Sequence, residues 1–247
     1  MNPTKKELDW LLEEKYGGTK TPAYEEDAAR LASGEPLAYV IGSQPFLGLQ
    51  IFLDSHPLIP RPETEWWAEK LITKLLQHPK KPLKILDLCA GSGAIGCALL
   101  KSLPQAHVSF GEIDPSHRAT IQKNIFKNNL DALRADIRIG DVFKPFFKET
   151  FDIIAVNPPY IPDTRKLEES VSRFEPHEAL FSGKDGLDLI HRIATEAPEY
   201  LKPGGELWLE CDSEHASETE ACLGATAKRT ELYTDQYGRS RLIVAYY

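Results

Sequence analysis

The sequence is poor in cysteine and in basic residues, and it contains no long apolar run. The four cysteines among 247 residues form neither a disulfide scaffold nor a zinc-binding spacing, so we predict no metal site. The 29 basic and 37 acidic residues give a net charge of −8, whereas nucleic-acid-binding proteins usually carry a basic excess. No segment reaches the ~18–20 apolar residues that span a bilayer, and the first residues lack an apolar secretion signal. We therefore expect a cytoplasmic monomer that binds neither membrane nor nucleic acid.

The length and composition indicate a folded core with a smaller appendage. Hydrophobic residues make up 42% and charged residues 27% of the chain, as in ordinary globular proteins. Leucines on one face predict a helix over Lys5–Lys15, and Pro22 opens a second helix over Ala23–Ser33. We predict a small helical N-terminal domain over residues 1–45. A linking region over 46–79 follows, with a hairpin at 46–54, a helix over Glu63–Gln77 and a polar linker at 78–82.

From residue 83 onward, short apolar segments alternate with amphipathic ones. Strands are predicted at Lys84–Leu88, Val108–Ile113, Asp136–Ile139, Phe151–Val156, Glu206–Glu210, 229–234 and 241–246, with helices at Gly93–Leu103, Ser116–Asn129 and Leu187–Tyr200. This alternation is typical of an α/β domain with a mostly parallel sheet covered on both faces. We assign it to residues 80–247. Ligands of such sheets bind at the carboxyl ends of the strands.

A glycine-rich loop in ILDLCAGSGAIG joins the first of these strands to its helix. Gly91, Gly93 and Gly96 fit the G-x-G-x-x-G spacing, in which the backbone turns tightly and approaches a ligand. A carboxylate at Asp87 disfavours a dinucleotide pyrophosphate but favours a cation such as the sulfonium of S-adenosylmethionine. The alternative is a glycine turn without a ligand. The residues predicted to bind the cofactor here are Asp87, Cys89, Ala90, Gly91, Ser92 and Gly93.

Acids after the next two strands suit the rest of an adenosine ligand. Asp114 follows the second strand, where a carboxylate can accept both hydrogen bonds of a ribose diol, although it could instead cap a helix. We expect Glu112 to face the other side of the sheet, because side chains alternate along a strand. After the third strand, Asp141 can accept from the adenine amine while Val142 packs on the ring. These positions fit NAD as well as S-adenosylmethionine.

The segment Asn157-Pro158-Pro159-Tyr160 follows the apolar strand FDIIAV. Two prolines fix an extended loop that displays the Asn157 amide, the Pro158 carbonyl and the Tyr160 ring. The two oxygens can each accept one N–H bond from a planar –NH2 group, and the ring can pack on its plane. This arrangement orients an amide or base nitrogen for in-line attack on a methyl group. We predict that these four residues form the catalytic acceptor site and that Asn157 also contacts the cofactor.

Together these motifs resemble the HemK/PrmC family, the glutamine-N5 methyltransferases of peptide-chain release factors. The resemblance starts near Leu31 and includes the following segments: LASGEPLAYVIG, LIPRPETE, ILDLCAGSGAIG, GEIDP, NPPY, EPHEAL, GKDGL, LKPGG and DQYGRSR. It implies a Rossmann-like sheet of seven strands, the last of them antiparallel, with S-adenosylmethionine as cofactor. It also implies methylation of the glutamine in the Gly-Gly-Gln motif of release factors, with a helical N-terminal domain for substrate docking.

Position by position, the resemblance implies a cofactor loop at Cys89–Gly93, Asp114 on the ribose, Val142 beside adenine and Asn157 at the reacting amide. Substrate contacts are implied for Phe46, Arg61 and Pro62, in addition to the residues of NPPY. The chain departs from the family in having Cys89 where the loop usually has glycine, and Val142 where an aromatic residue can stand. Its N-terminal helical segment is also shorter.

Three other functions fit parts of the pattern. A DNA or RNA amino methyltransferase uses the same NPPY chemistry, but it needs a basic surface and a flipped base. An NAD-dependent oxidoreductase would use the glycine loop but leaves NPPY without a role. A silent binding module would not need both motifs.

Overall fold

The computed structural model describes residues 3–77 and 82–247, so the predicted linker at 78–82 falls largely outside the described residues. The helices are α1 (Lys5–Tyr16), α2 (Pro22–Ala32), α3 (Leu37–Ile41), α4 (Pro62–Gln77), α5 (Ala94–Ser102), α6 (His117–Lys127), α7 (Glu169–Phe174), α8 (Asp188–Tyr200) and α9 (Ala216–Gly224). The strands are β1 (Ser43–Phe46), β2 (Leu49–Phe52), β3 (Lys84–Leu88), β4 (His107–Glu112), β5 (Ala135–Ile139), β6 (Phe151–Val156), β7 (Leu201–Glu210), β8 (Arg229–Thr234) and β9 (Ser240–Tyr246).

Seven strands form the main sheet in the order β5-β4-β3-β6-β7-β9-β8. Neighbours from β5 through β7 pair in parallel, and β9 pairs antiparallel with both β7 and β8. The predicted α/β class, the parallel sheet and the antiparallel last strand are therefore confirmed. The strand order reverses between β3 and β6, which puts a topological switch point at their carboxyl ends.

Helices cover both faces of the sheet, which explains why its central strands are almost continuously apolar. On β3, Ile85 belongs to the core cluster under α4 and α5, whereas the next residue, Leu86, belongs to the cluster under α8. Trp67 is fully buried in the first cluster and Ile190 in the second. Both faces of β3 are thus buried in a core. Packing on both faces holds this strand, and with it the loop that follows the strand, in place.

The first three helices bury a small cluster of their own, formed by Leu11, Tyr24, Leu31 and Val40. Thr4 begins α1 with a capping box, and Gly17 ends it in a left-handed conformation. The sequence analysis did not predict α3, which is only five residues long and overlaps the end of the motif EPLAY. The predicted domain boundaries at 45 and 79 remain predictions. Among the described residues, no helix is long and apolar enough to cross a membrane.

The hairpin of β1 and β2 spans residues 43–52, so the predicted range of 46–54 was displaced along the chain. Two asparagines one turn apart, Asn124 of α6 and Asn128 at its C-cap, hold the second strand of the hairpin, β2. Asn124 accepts from the Phe52 N–H at 2.7 Å and donates to the Phe52 carbonyl, while Asn128 makes the same pair of bonds with Gln50. The asparagine side chains thus take the place of a neighbouring strand, and the hairpin is fixed against the helix that covers the main sheet.

Candidate active site

A cavity of about 440 Å³ opens at the carboxyl ends of β3, β4, β5 and β6, at the switch point of the sheet. Its volume lies within the range of about 300–1,000 Å³ that is usual for small-molecule sites. Seven residues predicted from the sequence lie in its wall: Cys89, Gly91, Asp114, Asp141, Val142, Asn157 and Pro159. The sequence therefore located the cavity, although the roles of several predicted residues differ in the structure.

The glycine loop after β3 bends through alternate left-handed residues. Cys89, Gly91 and Gly93 have φ angles of 57°, 54° and 76°, while the intervening Ala90 and Ser92 are buried. Cys89 therefore occupies a conformation that costs a non-glycine residue about 1–2 kcal/mol. This explains in physical terms why glycine is the usual residue of the family at this position. The loop brings the backbone of Gly91 to the cavity wall.

Asp87 does not face the cavity, so it cannot contact a ligand there as predicted. Its side chain is fully buried, and its Oδ2 accepts from the Gly96 N–H at 2.8 Å. Burial raises the pKa of Asp87 well above the usual range of a carboxyl. A Cβ at Gly96 would come within 2.2 Å of Phe110, so this glycine serves close packing of α5 on the sheet. The prediction treated Asp87 as a ligand, whereas it fixes the first turn of α5.

Glu112 is the carboxylate that holds the loop, and the expectation that it faces the other side of the sheet was wrong. Its Oε2 accepts from the Gly91 N–H at 2.7 Å, and its Oε1 accepts from the N–H groups of Ile113 and Asp114. The side chain is buried and lies in the cavity wall. Residues two positions apart lie on the same face of a strand, so alternation itself places Glu112 with Asp114, and the expectation applied the rule incorrectly.

Asp114 also lies in the wall, but its carboxylate is about half exposed and already has a local role. Its Oδ1 accepts from the Ser116 N–H at 2.8 Å, a bond that starts the turn into α6 and lowers the pKa of Asp114. The N-cap of α6 is Ser116, so Asp114 forms a turn just before the helix and does not take the capping role that was its alternative. The other carboxylate oxygen of Asp114, Oδ2, lies 3.9 Å from His117 Nε2 and can still accept a hydrogen bond from a ligand. Glu112 lies in the same wall of the cavity.

The end of β5 presents Asp141 and Val142 at the predicted place for adenine. Asp141 forms a two-pronged ion pair with Arg192, at 3.0 and 3.2 Å, and a further one with Lys144. These cations hold the pKa of Asp141 at about 2. Val142 is buried with a φ of 48°, which is an outlier for a β-branched residue. Such strain at a ligand cavity is typical of functional positions.

The loop after β6 places Asn157 and Pro159 in the wall, whereas Pro158 is buried behind them. Within the described chain, no donor hydrogen-bonds to the Pro158 carbonyl or to Asn157 Oδ1. Tyr160 does not line the cavity, and its hydroxyl donates to Glu210 at 3.0 Å. Gly186 lies so close that a Cβ there would approach the Tyr160 carbonyl to 2.3 Å. The second glycine of GKDGL thus permits close contact with NPPY.

Behind Asn157 lies a buried polar cluster that the sequence reasoning did not identify. Asn157 Nδ2 donates to Thr64 Oγ1 at 3.2 Å, and Thr64 Oγ1 donates to Glu210 Oε2 at 2.7 Å. Trp67 Nε1 donates to the same oxygen at 2.7 Å. Burial raises the pKa of Glu210, and the hydrogen bonds that it accepts oppose this shift. In the sequence, Thr64 belongs to the ETE segment that follows IPRP, and Glu210 is the glutamate that ends β7.

The IPRP segment reaches the site through an ion pair. Arg61 Nη2 pairs with Glu175 Oε1, and Glu175 Oε2 accepts from the Ile59 N–H at 3.1 Å. The Glu175 side chain is almost completely buried, and this contact ties IPRP to the end of α7. Pro62 is the first residue of α4. Neither Arg61 nor Pro62 lies in the wall, to which this segment contributes Leu58.

Phe46 lies in the hydrophobic core with 1% exposure, so it cannot contact a substrate in this arrangement. It anchors the hairpin instead. The EPLAY motif acts on the site indirectly, because Tyr39 donates its hydroxyl to the Pro57 carbonyl at 2.7 Å. This bond fixes the segment that supplies Leu58 to the cavity wall. The N-terminal motifs therefore support the cavity wall without lining it themselves.

Solved structures confirm the fold. The chain superposes on a 16S rRNA methyltransferase of T. thermophilus, solved with AdoMet and guanosine, with a TM-score of 0.59 and 20% identity, covering 83% of this chain and 49% of that one. A methyltransferase from Pyrococcus furiosus gives a TM-score of 0.58 and 17% identity, covering 90% and 98%. These identities show a common fold alone.

Sequence relatives are closer. A family model described as the methyltransferase small domain matches residues 68–175. The chain is 37% identical to a release factor glutamine methyltransferase of Geobacter sulfurreducens, covering 83% of this chain and 75% of the relative. It is 35% identical to that of Streptococcus pneumoniae, covering 87% and 76%. The resemblance seen in the motifs is confirmed: the chain belongs to the release factor glutamine methyltransferase family.

Proposed function

We propose that this protein transfers a methyl group from S-adenosylmethionine to the side-chain amide nitrogen of the glutamine in the Gly-Gly-Gln motif of peptide-chain release factors. It thereby supports translation termination. The observation that carries the proposal is the Asn157 amide in the cavity wall, whose nitrogen is bonded to Thr64 and whose oxygen accepts no hydrogen bond from the described chain. The names of the relatives supply the substrate.

The residues of the cavity fit S-adenosylmethionine. The left-handed bends of the loop bring the Gly91 backbone to the wall, and the volume suits one small ligand. We propose that the ribose diol binds the carboxylates at the end of β4, those of Asp114 and Glu112, and that adenine binds beside Asp141 and Val142. When bound, this cofactor supplies an electrophilic methyl group on a positively charged sulfur. The acidic wall favours such a cation.

We propose that Asn157 Oδ1 and the Pro158 carbonyl each accept one N–H of the glutamine amide. Their bonds orient the nitrogen towards the methyl group, and restricting geometry in this way can supply a large part of a rate enhancement. They also become more favourable as the nitrogen gains positive charge in the transition state. Because the amide N–H becomes acidic as the N–C bond forms, the chain does not have to supply a strong base.

In keeping with the net charge of −8, we propose a cytoplasmic monomer that binds neither nucleic acid nor membrane. Light scattering on the purified chain tests the monomer, and a salt-dependent shift of labelled tRNA or DNA would contradict the absence of nucleic-acid binding.

The decisive experiment offers methyl-labelled S-adenosylmethionine together with one acceptor at a time: a release factor, DNA, tRNA or none. We expect label on the release factor alone. The matched acceptor, a release factor with Gly-Gly-Ala in place of Gly-Gly-Gln, should take up no label. Label on nucleic acid, or equal label on both release factors, would contradict the proposal.

A further inference from the structure

The Asn157 amide is the last member of a line of polar groups that extends from the core. Trp67 and Thr64 both donate to Glu210 Oε2, and Tyr160 donates to the other carboxylate oxygen, Oε1. Thr64 and Glu210 are buried, with 4% and 1% exposure, and the line ends at the half-buried Asn157 in the cavity wall. Every bond of this line therefore has to be made within the protein.

The direction of each bond in the line follows from the chemistry of its members. The indole N–H of Trp67 can only donate, so the Glu210 oxygen that it meets at 2.7 Å, Oε2, acts as an acceptor. A threonine hydroxyl has one proton, and Thr64 gives it to Glu210 at 2.7 Å. The Thr64 oxygen can then serve Asn157 only as an acceptor. Asn157 must turn its –NH2 group to Thr64, which leaves Oδ1 on the side of the cavity.

The opposite orientation of the amide has no hydrogen-bonding solution with this line intact. If Asn157 Oδ1 faced Thr64, the single hydroxyl proton would have to serve two acceptors, Asn157 and Glu210. Giving the proton to Asn157 would break the 2.7 Å bond to Glu210, whereas keeping that bond would leave Asn157 Oδ1 facing the Thr64 oxygen, with no proton between the two acceptors. The opposite orientation is therefore unfavourable. It would also present the –NH2 of Asn157 to the –NH2 of a substrate amide, and two donors repel.

We propose that Thr64 is a positioning residue for methyl transfer, because its hydroxyl fixes the Asn157 amide with Oδ1 towards the acceptor nitrogen. This inference rests on the proposed function, since it needs Asn157 to bind the substrate amide. Thr64 touches neither the cavity nor a ligand, and it acts through Asn157 alone. The residue comes from the start of α4, 93 positions from Asn157 in the chain.

The test compares Thr64→Val, which keeps the shape of the side chain but can neither donate nor accept, with Thr64→Ser, which keeps the hydroxyl. We expect Thr64→Val to lower kcat on a release factor by about 10–100-fold, because geometry at the reacting group is lost. The Kd for S-adenosylmethionine should change less than about twofold, because the cofactor wall is intact. Thr64→Ser, which keeps the hydroxyl, should retain kcat within about threefold of the parent.

Two controls separate positioning from stability. Thr219→Val removes a buried hydroxyl of α9 that donates to the carbonyl of His215, the N-cap of that helix. Thr219 does not line the cavity, so this variant should leave kcat unchanged. If Thr64→Val fails to fold, as judged by thermal unfolding, Thr64→Ala removes the same hydroxyl without placing a methyl group against Glu210. Its kcat should fall in the same way.

The double variant gives the sharpest outcome. In an Asn157→Ala background, Thr64→Val should lower kcat no further, because the group that Thr64 positions is absent. A full additional loss in that background would overturn the proposal, as would unchanged kcat in Thr64→Val itself. If Asn157→Ala alone keeps full turnover, the proposed function of the NPPY loop fails. A damaged Asn157→Ala beside an active Thr64→Val contradicts only the positioning role.

Discussion

The two halves of the cavity are built in different ways. On the cofactor side, the wall consists of loops that directly follow β3, β4 and β5, and the Glu112–Gly91 contact links residues only 21 positions apart. On the acceptor side, Asn157 depends on Thr64, and Thr64 on Glu210, over separations of 93 and 146 positions. Backbone conformation shapes the first half, whereas buried side chains from distant segments shape the second.

This difference predicts how each half responds to damage. Local loops lose ligand contacts when a residue changes, so affinity for the cofactor should fall. A side-chain line that orients one amide should affect the rate while leaving cofactor affinity unchanged. Each prediction below tests one half, and the largest expected effect comes first.

Asn157→Ala should give the largest effect. It removes one acceptor at the reacting amide, and we expect kcat to fall about 10²–10³-fold, by analogy with the loss of one oxyanion-hole donor. Binding of S-adenosylmethionine, measured by calorimetry, should change little. Asn157→Asp keeps an accepting oxygen but adds charge near the sulfonium, whose charge disperses during transfer. It should bind the cofactor at least as tightly while transferring the methyl group more slowly. Full turnover in Asn157→Ala would show that the loop is structural.

Glu112→Gln and Asp114→Asn test the cofactor half. Hydrogen bonds to a charged group contribute about 1.5–3 kcal/mol, so the loss of a ribose contact should weaken cofactor binding at least about tenfold. We expect the larger loss for Glu112→Gln, because Glu112 also holds the Gly91 backbone in the wall. With the cofactor at saturation, kcat should change less than its affinity does. A larger loss for Asp114→Asn would assign the ribose to the more exposed carboxylate.

The sequence was sufficient for the cofactor half because its information is local. The left-handed bends at Gly91 and Gly93 are carried by glycines in one contiguous motif, and the parallel sheet places that motif at the switch point. The error at Glu112 came from applying the alternation incorrectly, because Glu112 and Asp114 are two positions apart and share a face of the strand. Asp87 was misjudged because a buried carboxylate that binds a helical N–H looks, in sequence, like one that faces a ligand.

The acceptor half was predicted only at the NPPY loop. Nothing in the neighbourhood of Asn157 indicates that Thr64 and Glu210 lie behind it, because the connection arises when α4 packs on the end of β7. Phe46 was placed at the substrate for a similar reason. Its motif lies near the site, but the hairpin turns its ring into the core. Local patterns thus predict which loops meet, and packing decides which side chains face the cavity.

Gly186→Ala should damage the acceptor half by a moderate amount. Its φ is 81°, and an added Cβ would lie only 2.3 Å from the Tyr160 carbonyl, which leaves no room for a methyl group. We expect a loss of stability of about 1–3 kcal/mol by thermal or urea unfolding, together with a lower kcat. Gly204→Ala is the matched control, since it has a similar φ of 79° but open space around it. It should lose stability without a specific loss of turnover.

The smallest effect is expected at Cys89, where the cofactor loop carries a side chain in a left-handed conformation. Because that conformation costs a non-glycine residue about 1–2 kcal/mol, Cys89→Gly should be more stable than Cys89→Ala by about 1 kcal/mol. At Cys97, which is buried in α5, the order should reverse, since glycine weakens a helix by about 1 kcal/mol relative to alanine. Urea unfolding of the four variants measures both differences.

Affinity for S-adenosylmethionine should be nearly the same in Cys89→Gly as in the parent, because the thiol supplies no hydrogen bond in the described structure and the backbone of the loop is kept. If Cys89→Ala were the more stable of its pair, the left-handed bend would not be the constraint that shapes the loop, and the thiol itself would have to be the reason for its presence.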